Sequence, residues 1–162
     1  MAHESISPNR PGATARGTIV VLNRDLMFGS RIRHTVRALG YDPLFTVNTL
    51  AFIERIRSMR PPAVLAILDM NGVVDWELIG QYTTDPGCST PLLGFGPHVD
   101  IVNRRAAKAA GVSRIVSNGQ FHSDTASIVQ RYARDQAANA TNKENEERSS
   151  PLTRSEAGRK RS

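Results

Sequence analysis

The run Ala63 to Leu68 reads AVLAIL, six apolar residues in succession, and it meets a carboxylate, Asp69, followed by the turn-forming residues Asn71 and Gly72. A strand with one wet face alternates apolar and polar side chains, whereas an unbroken run is expected of a central parallel strand covered on both faces. Parallel neighbours require crossover connections, usually helices. The flanking sequence supplies them.

TIVVL (18–22) is a β-branched run that leads into a helical pattern with Phe28, Ile32, Val36 and Leu39 on one face, Asp25 as N-cap and Gly40 as stop. PLFTV (43–47) reads as a second strand. Thr49 to Arg60 reads as a helix with Leu50, Ile53 and Ile56 inward, ended by Pro61 and Pro62. A weaker helix around Trp76 to Thr83 follows the third strand, and PLLGF (91–95) is the fourth strand. A short helix capped by Asp100 and stopped by Gly111 leads to SRIVS (113–117), the fifth strand. A last helix spans about Ser123 to Arg134, with Ile128, Val129 and Tyr132 inward. Strands alternating with helices in this way predict an α/β fold, a five-stranded parallel, flavodoxin-like doubly wound sandwich over residues 18–134. Residues 1–17 and 135–162 offer little to bury and are expected to be disordered.

Composition narrows the function classes. The N-terminal stretch has no apolar leader and no run approaches membrane-spanning length, so a cytoplasmic, membrane-free protein is expected. The single cysteine, Cys88, cannot form an internal disulfide and makes a thiolate zinc site an unfavoured reading. The net charge of +6 favours anionic partners in general, but without a binding motif or interleaved aromatics nucleic acid is not the expected ligand. GFGPHVD lacks dinucleotide-binding spacing, and His98 with Asp100 is better read as a loop histidine beside a helix cap than as a metal pair.

In doubly wound folds ligands gather at the carboxyl ends of the strands. There the order of elements, an aspartate ending the third strand, Gly40 before the second strand, Pro91 opening the fourth, and Ala109 to Gly111 ahead of the fifth together resemble the receiver domain of bacterial response regulators. The resemblance matches Asp69 to the phosphate acceptor. It also exposes departures. The acidic pair that holds magnesium in the family is Asn23 and Arg24 here, with Asp25 one residue late; the hydroxyl residue ending the fourth strand is Gly96; the lysine and proline after the fifth strand are Asn118 and Gly119. Phosphoryl transfer to an aspartate needs a divalent cation on oxygen ligands and a cationic partner, and both are reduced or lost.

The resemblance therefore implies a degenerate pseudo-receiver: not an enzyme, with no catalytic residue and no resident cofactor, in which Asp69 serves as a cap or turn former. Its expected role is a stand-alone, phosphorylation-independent interaction module in signal transduction. Family likeness places the interaction surface, with a protein partner or a second copy as a homodimer, on about residues 101–134, where Arg104, Arg105, Lys108, Arg114, Arg131 and Arg134 make the surface basic. The alternative is an aspartate-based phosphoryl-transfer protein using Asp69, either a weakly active receiver or a haloacid-dehalogenase-like phosphatase, whose signature LDMNGVV approaches. Under that reading alone magnesium enters, with Asp25 and Asp69 as its candidate ligands. As a phosphatase, Asn71 would stand where the general acid belongs, and an amide cannot donate that proton.

Overall fold

The computed structural model describes residues 16–133. The elements run β1 (Thr18–Leu22), α1 (Leu26–Ala38), β2 (Asp42–Thr46), α2 (Thr49–Ser58), β3 (Leu65–Asp69), α3 (Trp76–Thr84), β4 (Leu92–Gly96), α4 (Ile101–Ala109), β5 (Arg114–Ser117) and α5 (Asn118–Ser123), followed by helical residues 125–133. All strand pairs are parallel, in the order β2-β1-β3-β4-β5. This is the expected doubly wound sandwich, and its strand order reverses between β1 and β3. Residues 1–15 and 134–162, which hold most of both expected disordered ends and also Arg134, lie outside the described residues. Arg16 and Gly17, assigned to the leading segment from sequence, are tied to the fold: Arg16 N donates to Gly40 O at 2.8 Å, and Gly17 O accepts from Asp42 N at 2.9 Å.

Side-chain alternation along the strands feeds two cores. Val20, Leu22, Ala66, Leu68 and Leu92 face one side and pack with Phe52, Ile53 and Ile56 of α2, Ile79 and Tyr82 of α3, and Ala107 of α4. Ile19, Val21, Leu65, Ile67, Leu93 and Phe95 face the other and pack with Ile32 and Val36 of α1, Phe121 and Val129. Each large apolar side group so buried contributes roughly 1.5–3 kcal/mol. The apolar run of β3 thus does what its pattern demands, filling both layers from the centre of the sheet.

Helix ends follow the side chains the sequence offers. Asp25 Oδ1 accepts from Met27 N at 2.8 Å and Phe28 N at 3.1 Å, Asp100 Oδ1 accepts from Asn103 N at 3.1 Å, and such caps contribute about 1 kcal/mol each. Gly40 and Gly111 follow α1 and α4 at φ of +89° and +90°, the left-handed conformation that ends a helix. Two helices differ from expectation. In α2 the buried face is Phe52, Ile53 and Ile56, while Leu50 is 53% exposed, because the helix starts under Asn48 and turns Leu50 towards the strand-end loops. The expected last helix is present as residues 125–133, but a separate short helix, α5, precedes it from Asn118, since Ser117 Oγ accepts from Gln120 N and Gln120 Oε1 accepts from Ser117 N, a capping box.

Two packing details shape the strand ends. Met70, 2% exposed, lies over β4, so that a Cβ at Gly94 would meet its Sδ at 2.7 Å and a Cβ at Gly96 would meet its Cβ at 3.0 Å. On the opposite layer His122 stacks on Phe28 with ring centroids 4.1 Å apart and meets Phe95 and Phe121 edge-on, clasping α5 to α1. Burial, then the nearby Arg31 charge, outweigh attraction from Asp69 and Asp25 and hold the imidazole below its ordinary pKa of 6.5.

Because folded His122 binds its proton less readily than unfolded His122, its contribution is complete above about pH 6.5 and is lost as pH falls through that value towards the folded pKa. Denaturant unfolding between about pH 7.5 and 5 should show wild type losing stability more steeply than His122→Phe, which keeps the stack without the titration. Equal slopes would show that the ring is not desolvated. Gly94→Ala should cost roughly 1–3 kcal/mol by overpacking against Met70, whose Sδ would stand 2.7 Å from the new Cβ. Met70→Ala in the same protein should recover part of that loss; simple additivity in the double-mutant cycle would refute the shared space.

Candidate functional site at the strand ends

The register of the sheet assembles the site before any side group chooses a partner. Leu22 pairs with Leu68, so the next residues, Asn23 and Asp69, emerge side by side at the point where strand order reverses. Asp69 pairs with Phe95, and Gly96 with Ser117, so Asn118 follows at the same edge. The four polar residues at this edge are Asn23, Asp69, Asn71 and Asn118.

They form one network. Asn23 Nδ2 donates to Asp69 Oδ2 at 2.7 Å, and Asn23 itself is only 6% exposed. Asp69 Oδ1 accepts from Asn71 N at 2.9 Å and from Asn71 Nδ2 at 2.7 Å. Asn71 and Asn118 then pair reciprocally, Asn71 Nδ2 donating to Asn118 Oδ1 at 3.0 Å and Asn118 Nδ2 to Asn71 Oδ1 at 2.8 Å. The carboxylate is satisfied by amide N–H groups alone. Among the described residues the one ion pair is Arg57 with Asp85, at 3.4 Å and remote in sequence from this edge.

The other sequence-derived candidates have different employment. Arg24 turns to the neighbouring loop, where its Nε donates to Val47 O at 2.6 Å. Asp25 spends its carboxylate on the N-terminus of α1. His98 is exposed, and Asp100 caps α4 while its Oδ2 accepts from Asn103 Nδ2 at 2.9 Å. Cys88 is a half-buried free thiol beside the Tyr82 hydroxyl, whose pKa burial and that thiol push up to about 12.

These donors do not suit magnesium. A hard divalent cation asks for several oxygen ligands, preferably carboxylates. Here a single carboxylate already accepts three N–H groups, and the Oδ1 atoms of Asn71 and Asn118 are bound to each other's amides. Among the described residues no group of three or more His, Cys, Asp or Glu side chains could hold a metal.

Of the basic candidates, Arg105 and Lys108 are exposed on α4, and Arg104 is half-buried with its Nη1 enclosed and without a hydrogen-bond partner. Arg114 and Arg131 flank one ring, that of Tyr132, at 6.0 and 5.8 Å. Another feature of the surface is one that periodicity does not reveal. The large apolar side chains most open to solvent, Leu26, Met27, Val47, Leu50, Val73, Val99, Ile101 and Val102, all sit in the loops or first helical turns at the carboxyl end of the sheet. The hydropathy pattern shows such residues but not that the strand-end geometry gathers them.

No protein-family model matches the sequence, and no curated protein sequence matches it. Solved structures do. The signal receiver domain of an HD domain-containing protein from Pseudomonas fluorescens Pf-5 superposes with a TM-score of 0.65 at 14% identity, covering 82% of this chain and 98% of that one. The receiver domain of a sensor histidine kinase from Pseudomonas aeruginosa PAO1, solved with magnesium coordinated in its active-site cleft, gives 0.62 at 14%, covering 72% and 97%. The signal receiver domain of a signal transduction histidine kinase from Syntrophus aciditrophicus gives 0.62 at 16%, covering 74% and 91%. Among the described residues no helix is long and apolar enough to cross a membrane. The protein has the five-stranded α/β fold of response-regulator receiver domains.

Proposed function

We propose that the protein is a pseudo-receiver, a cytoplasmic signalling module that binds a protein partner without being phosphorylated. One observation carries this reading: Asp69 is enclosed by amide donors instead of by carboxylates and a lysine. Transfer of a phosphoryl group accumulates negative charge, and neutral amides that are already paired neutralise little of it. The fourth strand adds a second obstacle, since any Cβ at position 96 would stand 3.0 Å from Met70 Cβ. With neither cation nor hydroxyl in place, Asp69 acts as the polar cap of the buried third strand.

Binding is assigned to α4, where one face combines exposed Ile101 and Val102 with exposed Arg105 and Lys108. That combination fits a partner offering acidic side chains around an apolar patch. A homodimer through this basic face would oppose like charges, so a heterologous partner is favoured over a second copy. Exposed side chains contribute little to folding, so Ile101→Ser with Val102→Ser should change stability by no more than about 0.5 kcal/mol. A large loss of melting temperature would show that they pack within the domain instead of facing a partner.

The chemistry is tested directly with a small phosphodonor. Acetyl phosphate with magnesium should leave the intact mass unchanged, and millimolar magnesium should raise the melting temperature of neither wild type nor Asp69→Asn. Asp69→Asn should itself shift stability by no more than ~1 kcal/mol, because its amide keeps an acceptor while one donor contact is lost. A phosphoryl adduct that Asp69→Ala abolishes, or a magnesium-dependent rise seen only with Asp69, would overturn the proposal in favour of phosphoryl transfer through Asp69.

A further inference from the structure

Both outer amides of the network precede glycine: Asn71–Gly72 and Asn118–Gly119 are the Asn-Gly pairs among the described residues. Their settings differ. Asn71 and Gly72 are exposed in the turn after β3, and a Cβ built on Gly72 meets nothing within 4 Å. Among the described residues no hydrogen bond engages the Gly72 N–H. Asn118 and Gly119 lie in the first turn of α5, behind the Ser117–Gln120 capping box, where the helical backbone is fixed.

We propose that Asn71 is a self-modification site, where slow deamidation converts a neutral member of the amide network into a second carboxylate beside Asp69. In the step, the Gly72 backbone nitrogen loses its proton and attacks Asn71 Cγ, forming the new N–C bond. The Cγ–Nδ2 bond breaks and the amide group leaves as ammonia, which carries away the proton. Water then opens the five-membered imide. Cleavage of the bond between Cγ and the Gly72 nitrogen gives aspartate. Cleavage of the original peptide bond gives isoaspartate, with the backbone running through Cγ. The net exchange is one water consumed for one ammonia released, and no oxidant or reductant is required.

Asn71 is set apart from Asn118 by backbone freedom at the nucleophile. Without a Cβ, the Gly72 nitrogen is unshielded, and its turn can rotate towards Cγ. The product has a defined effect. Asn71 Nδ2 now donates to Asp69 Oδ1 at 2.7 Å and to Asn118 Oδ1 at 3.0 Å. A carboxylate at this position removes both donors and places like charges within hydrogen-bond distance, which disfavours ionisation of both together. The modification would therefore reduce the link between the β3–α3 turn and the start of α5 to the one bond from Asn118 Nδ2, and set residue 71 against Asp69.

The test is incubation of the folded full-length protein at mildly alkaline pH, followed by peptide mass mapping and isoaspartate detection. The expected result is the mass gain of an NH2-to-OH exchange at residue 71, with Asn118 unconverted. Gly72→Ala, for which the structure has open space, should slow conversion severalfold at an unchanged melting temperature, and Asn71→Gln should not convert. Asn71→Asp, the synthetic product, should melt below wild type at neutral pH, the gap closing as acid protonates the pair. Conversion only after unfolding in urea, conversion at Asn118 as fast as at Asn71, or equal rates in Gly72→Ala would each overturn the site. A melting temperature for Asn71→Asp equal to that of wild type at neutral pH would overturn its effect on the network.

Discussion

A carboxylate at the end of a strand buried on both faces is the constraint from which the strand-end arrangement follows. Asp69 terminates β3, the centre of the sheet, and leaving its oxygens unpaired beside the core would cost several kcal/mol. Parallel register puts Asn23 next to it, the turn brings back the Asn71 amide, and the edge of β5 delivers Asn118 to hold that amide in place. Three loops that would otherwise be independent are thereby linked, two at the Asp69 carboxylate and the third through the Asn71 amide. Neutral amides can perform this task because they provide donors in fixed directions without adding charge.

Much of this fold is legible in the sequence. The apolar run 63–68 predicts a doubly covered strand and the structure gives one; Asp25, Asp100, Gly40 and Gly111 mark helix ends at the expected places. Differences fall where a local pattern has two solutions. The apolar face of α2 can be phased through Leu50 or Phe52, and only packing against the sheet chooses Phe52. Ser117 to Gln120 contains residues equally suited to a turn and to a capping box, and the box forms because Gln120 returns to the Ser117 N–H.

Pair relations across the site are not legible in the same way. Asn71 and Asn118 stand 47 residues apart, and their reciprocal bonding depends on a register that periodicity does not encode. The same holds for Met70 and Gly96. Sequence shows a glycine where a receiver carries a hydroxyl residue, but the physical reason is Met70, just past the end of β3, whose Cβ would stand 3.0 Å from a Cβ at position 96. The missing hydroxyl and the packing of Met70 are one feature, since neither neighbour can change alone without strain or a void.

Electrostatics at the strand ends follow the same logic. His122 lies close enough to Asp69 and Asp25 to feel both, yet burial and Arg31 prevail and favour its neutral form. Contact with the Phe28, Phe95 and Phe121 rings thus disfavours protonation of this one imidazole despite two nearby carboxylates. Exposed apolar side chains, Leu26 and Met27 on one side and Val99 to Val102 on the other, lie around the strand ends. A second carboxylate beside Asp69 would repel it without a cation, and a lysine drawn to Asp69 would bring its own desolvation cost. Amides avoid both costs, so the polar network and the apolar rim are consistent parts of a surface suited to contact with another protein.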